Sequence, residues 1–133
     1  MKIPNEELAA FRKETQRAGA RSLILFGSRP KDEHTEESDV DLCLISNNLP
    51  QDTFKRRYLA PSGYGWLSVF GFYPDEFLSM LREANLFALD IVYYGKSLHD
   101  DGFLSEAQEV FDQTQTVRAY GLRRNKRGWE WKV

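Results

Sequence analysis

The sequence predicts an α/β domain in which about four short strands alternate with helices. Three segments have the length and composition of strands, and these are Arg21–Gly27, Ser38–Ser46 and Trp66–Tyr73; a short fourth strand is expected near Lys96–His99. The segments between them carry apolar residues at helical spacing. A chain of 133 residues is long enough to bury a sizeable core and too short for two ordinary domains, so we expect a single domain over residues 1–133.

The composition is that of a soluble globular protein, with 41% hydrophobic, 14% aromatic and 29% charged residues. No apolar run approaches the roughly 20 residues that a membrane helix needs, and the first residues lack the pattern of a secretory signal. We therefore expect a cytoplasmic protein with no membrane partner. The single Cys43 cannot form an internal disulfide, and its place in "DLCLI" predicts a small buried apolar residue.

The formal net charge of −2 conceals a basic C-terminal end. Residues 118–133 contain six Lys or Arg against one acidic residue, Glu130. This distribution excludes a uniformly basic protein that coats nucleic acid and leaves the tail as the candidate contact surface. A nucleic-acid partner remains an alternative, but we favour packing of Trp129 and Trp131 against the domain.

The first helix and the first strand have clear boundaries in the sequence. Asn5 is a suitable N-cap, and Leu8, Phe11 and Thr15 follow at helical spacing towards Gly19. The apolar run that follows ends at Gly27, and a polar loop leads from there to the second strand. After that strand we expect a short helix from Asp52 to Tyr58, with Arg56 on its exposed face.

The second half of the chain predicts two further helices with clear starts. Pro74 suits a first helical turn. The segment from Asn85 to Gly95 has β-branched and aromatic residues typical of a strand, but its apolar spacing and Gly95 as a C-cap favour a helix. A last helix is expected from Phe103 to about Tyr120, followed by a tail without a clear period.

Asp39 and Asp41 stand at the entrance of the second strand. Because side chains alternate along a strand, both carboxylates point to the same face. Two like charges beside each other near a core are costly unless a cation or a shared proton compensates them. The pair therefore indicates a site for a divalent metal ion.

The segment "GSRPKDEHTEESDVD" contains Gly27-Ser28, ten further residues and then Asp39-Val40-Asp41. This pattern resembles the signature of the minimal nucleotidyltransferases of the DNA polymerase beta superfamily. The segments "YPDEFLSMLREAN", "YGKSLHDDGF" and "GLRRNKRGW" are also similar in order and type to segments of small prokaryotic members. The resemblance implies a nucleotidyltransferase fold, with a mixed sheet of about four strands and helices packed mainly on one side.

The activity that the resemblance implies is Mg²⁺-dependent transfer of a nucleoside monophosphate from a nucleoside triphosphate to an unidentified acceptor. Asp39 and Asp41 are the expected catalytic and metal-binding residues, since Mg²⁺ prefers hard oxygen ligands. Gly27 lets the backbone approach phosphate, Ser28 donates a hydrogen bond to it, and Arg29 adds positive charge.

One feature departs from the family. Its members usually carry a third carboxylate on the strand after the Asp-x-Asp strand, but "WLSVFGFY" contains no acid and has Ser68 or Val69 near that position. Asp90 is the nearest later candidate for a third catalytic acid, and on a helix it would not face Asp39 and Asp41. The alternative function is therefore a weak or inactive domain that binds a partner protein, such as the antitoxin of a pair with a helical HEPN-type protein.

Overall fold

The computed structural model describes residues 5–27, 40–61, 65–114, 122–125 and 128–131. The helices in this part of the chain are α1 (Asn5–Arg17), α2 (Pro74–Arg82), α3 (Leu86–Tyr94) and α4 (Phe103–Thr114), with a 3₁₀ turn at Lys55–Tyr58. The strands are β1 (Ala20–Phe26), β2 (Val40–Ser46), β3 (Leu67–Phe72), β4 (Lys96–Asp100), β5 (Leu122–Asn125) and β6 (Gly128–Trp131). Each of the four predicted strands therefore has a counterpart in the structure.

The first four strands form one mixed sheet in the order β3-β2-β1-β4. β1 is antiparallel to both of its neighbours, β2 and β4. β2 and β3 are parallel, and the chain between them includes the 3₁₀ turn. The predicted mixed sheet of about four strands is thus confirmed.

Alternation along the strands divides the core into two layers. On one face, Ile24, Cys43 and Ile45 pack beneath apolar side chains of α2, α3 and α4. On the other face, strand residues such as Leu23 and Leu42 pack with Phe11 of α1 and with apolar residues that follow β2. Three of the four described helices therefore lie on one face, as predicted.

The ambiguous segment after Asn85 is a helix, in agreement with the preferred interpretation. The Asn85 side chain accepts a hydrogen bond from the Ala88 N–H at 3.2 Å and so caps the start of α3. At the other end the Gly95 N–H donates to the Ile91 carbonyl at 2.7 Å. The chain then enters β4 directly, and β4 pairs with β1.

Arg56 is buried, so the prediction that it lies on an exposed helical face is wrong. The segment forms a 3₁₀ turn in place of the longer predicted helix, and only 8% of Arg56 is exposed. Its guanidinium donates to the carbonyls of Pro50 at 2.7 Å and Gly71 at 3.3 Å, and it pairs with Glu76 at 2.8 Å. Buried carbonyls need donors, and these partners are too distant in sequence for helical spacing to reveal them.

The tail contains structure that the sequence analysis did not predict. β5 and β6 form an antiparallel two-stranded sheet in which Leu122 lies opposite Trp131 and Arg124 opposite Trp129. Strands of four residues are too short to show a reliable period of two. Residues 115–120, where the last helix was expected to continue, lie outside the described residues, and the packing of the tail remains a prediction.

Cys43 is fully buried, as predicted. Burial raises the pKa of its thiol, so it remains protonated and unreactive in the native protein. Every helix in the part of the chain that the structure describes is too short or too polar to span a bilayer.

Candidate active site

Asp41 lies near the start of β2, on the sheet face that α2, α3 and α4 cover further along the strand. It alternates with Leu42, so it shares a face with the buried Cys43. In the sheet it stands opposite Phe26 of β1 and beside Ser68 of β3. Strand register therefore places one predicted catalytic carboxylate at the end of the sheet where β1 stops and β2 and β3 start.

Gly27 contacts this carboxylate directly. Its φ is +81°, a backbone conformation that other residues rarely adopt. A Cβ at this position would lie 2.6 Å from Oδ2 of Asp41, well inside van der Waals contact. Residue 27 must therefore lack a side chain for the Asp41 carboxylate to occupy this place, a requirement that the sequence alone did not reveal.

Ser28, Arg29 and Asp39 lie outside the described residues, so their roles remain predictions. Asp39 directly precedes Val40, whose N–H donates to the Trp66 carbonyl at 2.9 Å. Within the described part of the chain, which leaves out Asp39, no three His, Cys, Asp or Glu side chains are grouped to hold a metal ion.

The structure distinguishes the two residues proposed for the third acid position. Ser68 is the strand partner of Asp41 and shares its face. Val69 points to the opposite face, where it packs against the layer that contains Phe11. The position beside Asp41 is therefore held by a serine in this chain.

Asp90 lies on α3 and is half-buried. Phe87, one helical turn earlier, packs against Phe26, with ring centroids 5.3 Å apart. α3 therefore lies near the site, and strand register brings Ser68 alongside Asp41. A role for Asp90 as the third catalytic acid remains a prediction.

An aromatic cluster of Phe26, Phe70 and Phe87 borders the site. The centroid of Phe70 lies 5.6 Å from that of Phe26 and 5.6 Å from that of Phe87. Sequence analysis missed this cluster because its members come from β1, β3 and α3. Ser68 and Phe70 also line a cavity of about 880 Å³ between β3 and the start of α2.

Comparison with known proteins identifies the family of this fold and site. The family model for the nucleotidyltransferase domain matches residues 6–83, more than half of the chain. The chain belongs to the nucleotidyltransferase family. The match includes Gly27, Asp41 and Ser68, and it confirms the predicted class of enzyme. No curated protein matches the chain significantly.

Two solved structures share the nucleotidyltransferase fold with this chain. One is a crystal structure of a toxin–antitoxin MntA–HpeT mutant with two aspartate-to-glutamate substitutions. It is 13% identical to this chain, with a TM-score of 0.54, and the match covers 89% of this chain and 94% of the other. The other is a crystal structure of a toxin–antitoxin with AMP-PNP, with a TM-score of 0.52, 16% identity, and coverage of 84% and 92%. At these identities the likeness supports the fold, and the predicted nucleotidyltransferase fold is confirmed.

Proposed function

We propose that this nucleotidyltransferase is Mg²⁺-dependent and transfers a nucleoside monophosphate from a nucleoside triphosphate to an acceptor. The observation that carries the proposal is the fit between Gly27 and Asp41. The glycine closes β1, and its missing side chain leaves the space that the carboxylate at the start of β2 occupies. A purely structural glycine would need only its positive φ and not this contact.

The donor set fits a hard divalent cation. Asp41 supplies carboxylate oxygens at the site, and Asp39, two residues earlier, belongs on the same face by strand alternation. When bound, Mg²⁺ would neutralise phosphate charge and activate the attacking oxygen. The carboxylates would hold the cation, and their mutual repulsion in its absence would favour binding.

The nucleotide phosphates would lie over the turn that follows β1. Gly27 allows close approach of the backbone, while the Ser28 hydroxyl and the Arg29 guanidinium would donate to phosphate oxygens. This arrangement holds the triphosphate beside Asp41.

The experiment that tests the proposal is Asp41→Asn, studied by thermal unfolding with and without Mg²⁺ and ATP. Without ligand, the variant should be as stable as the wild type or more so, because one repelling carboxylate is gone. With Mg²⁺ and ATP, it should lose the stabilisation seen in the wild type, since a ligand that binds only the native state raises its stability. Transfer of label from α-labelled ATP should be lost in parallel.

Asp112→Asn is the matched control. Asp112 is exposed on α4, and its Oδ1 accepts a hydrogen bond from Gln108, which an asparagine oxygen can replace. This variant should respond to Mg²⁺ and ATP as the wild type does. Equal stabilisation of the wild type and of the Asp39→Asn, Asp41→Asn double variant would show that the metal site has been misplaced.

A second candidate function is that of a partner-binding module with little turnover, and Ser68 favours it. The third acid of this mechanism helps to deprotonate and orient the attacking hydroxyl, so a serine there should slow transfer more than nucleotide binding. The two solved structures described above are of toxin–antitoxin systems, which makes the antitoxin of a cytoplasmic pair, with a helical HEPN-type partner, a concrete form of this candidate. Co-purification with the product of an adjacent gene would support it, and the absence of such a gene would weaken it.

A further inference from the structure

Phe70 is a large apolar residue that the fold leaves 42% exposed. It follows Ser68 by two residues in β3, so it lies on the sheet face that carries Asp41. Its ring contacts Phe26 and Phe87, both of which are half-buried. Because these contacts fix the ring from the protein side, its orientation is set before any ligand arrives.

The ring belongs to a longer row of packed aromatics. Phe87 also contacts Phe72, with ring centroids 6.1 Å apart, and Phe72 contacts Phe77 at 6.0 Å. Phe77 is fully buried in the core. Phe70 is thus the exposed end of an aromatic row that is anchored in the interior, and not an isolated surface phenylalanine.

The distance from the phosphate site suits a nucleotide. Phe70 is one strand across and two residues along from Asp41, which places the two Cα atoms roughly 8 Å apart by sheet geometry. The ribose and the α-phosphate separate the base of a nucleotide from its outer phosphates by a comparable distance. Phe26, which supports the Phe70 ring, directly precedes Gly27 at the phosphate end of the site.

The cavity beside Phe70 has the size and character of a small-molecule site. Its volume of about 880 Å³ lies within the range usual for ligand pockets. Phe70 and Met80 are among the apolar residues that line it, and Ser68, Asp75 and Ser79 are among the polar ones. An aromatic face with polar groups nearby suits a nucleobase, which can stack on the ring and form hydrogen bonds through its edges.

We propose that the exposed ring of Phe70 is the stacking surface for the base of the bound nucleotide. The inference rests on the proposed nucleotidyl transfer, because it needs the phosphates at Gly27 and the metal at Asp41. It adds a contact by which the chain distinguishes a nucleotide from inorganic polyphosphate. The turn that follows β1 would bind the phosphates, which both ligands have, whereas Phe70 would bind the base, which only the nucleotide has.

The test measures Mg²⁺-dependent binding of ATP and of inorganic tripolyphosphate by calorimetry. Phe70→Ala and Phe70→Leu should each weaken ATP binding about tenfold, which is within the range for loss of one base–aromatic stack, and leave tripolyphosphate affinity within about twofold of wild type. Phe70→Trp should retain ATP affinity, because it keeps an aromatic face. Phe54→Ala is the matched control, since Phe54 is 60% exposed and does not line the cavity, and it should change neither affinity.

Each alternative result has a defined meaning. Equal weakening of both ligands by Phe70→Ala, or wild-type ATP affinity in Phe70→Leu, would overturn stacking in favour of a general packing role. Unchanged ATP affinity with slower transfer in Phe70→Ala would overturn it in favour of a contact with the acceptor. If the wild type binds tripolyphosphate and the Phe70 variants bind ATP as tightly as the wild type, only the proposed base site is wrong. If the wild type binds neither ligand, the proposed function is wrong as well.

Discussion

At the scale of single residues, Gly27 has two separable roles, in the backbone and towards the neighbouring carboxylate. Gly27→Ala should cost about 1 kcal/mol of stability, because an alanine at positive φ is strained. It should also displace the Asp41 carboxylate, since the new Cβ would lie 2.6 Å from Oδ2. We therefore expect Mg²⁺-dependent ATP binding to fall sharply, although every proposed ligand is still present. Calorimetry and thermal unfolding measure the two effects separately.

Gly102→Ala provides the control for the first effect alone. Gly102 has φ +111°, and a Cβ there would meet no atom within 4 Å. This variant should lose a similar amount of stability and keep full affinity for Mg²⁺ and ATP. Normal ATP binding by Gly27→Ala would show that the Asp41 carboxylate does not need its present position.

Ser68 is the residue whose replacement should increase activity. Ser68→Asp places a carboxylate beside Asp41 on the same face, so it should raise the transfer rate if only that group is lacking. Ser68→Asn, of equal size but uncharged, is the first control and should leave the rate unchanged. Val69→Asp is the second, because it directs its charge to the opposite face and should lower stability without any gain in rate. A rate for Ser68→Asp no higher than that of Ser68→Asn, measured with α-labelled ATP, would contradict the prediction.

At the scale of elements, Asp100 connects β1, β4 and the start of α4. Its Oδ1 accepts hydrogen bonds from the Ser22 hydroxyl at 2.6 Å and from the Leu104 N–H at 3.1 Å. Partial burial opposes ionisation, but these bonds and one from the Gly102 N–H outweigh it and hold the pKa of Asp100 below its ordinary value. The ionised carboxylate therefore stabilises the junction of the three elements.

This shift predicts an acid-dependent loss of stability. A lowered native-state pKa adds stability that is fully present above the ordinary value of 3.8 and is lost as the pH falls below it. Asp100→Asn should therefore be less stable than wild type at pH 7, and the difference should shrink only below about pH 3.8. Urea unfolding across this pH range measures it, with Asp112→Asn as control. A difference that does not vary with pH would show that hydrogen bonding alone, without the charge, accounts for the effect.

The elements also show what the sequence was able to predict. Apolar spacing and caps are local, so α1, α2, α3 and the first four strands were predictable, and α3 was distinguished from a strand by its apolar spacing and by Gly95. The burial of Arg56 was not predictable, because its partners Pro50, Gly71 and Glu76 are brought together only by the fold. The tail hairpin was missed because its two strands are too short for a period.

At the scale of the whole molecule, the sequence predicts which residues form the candidate site but not how they are arranged. The Gly-Ser and Asp-x-Asp spacing lies within one continuous segment, so the sequence alone indicates a metal and phosphate site. The contact of Gly27 with Asp41, the place of Ser68 and the cluster around Phe70 depend on strand register, which pairs residues from separate segments. Register is a property of the assembled sheet, and no local pattern specifies it here.

The position of Ser68 beside Asp41 has a consequence for how long nucleotide stays on the protein. Under the proposed function, a missing acid slows the chemical step and leaves the groups that bind nucleotide in place. Where nucleotide is abundant, an enzyme of this kind would spend most of each cycle with nucleotide bound, because the slow step follows binding. A partner in the cell would then encounter mainly the loaded form, so the lifetime of that complex, more than the amount of product, would determine what the partner senses.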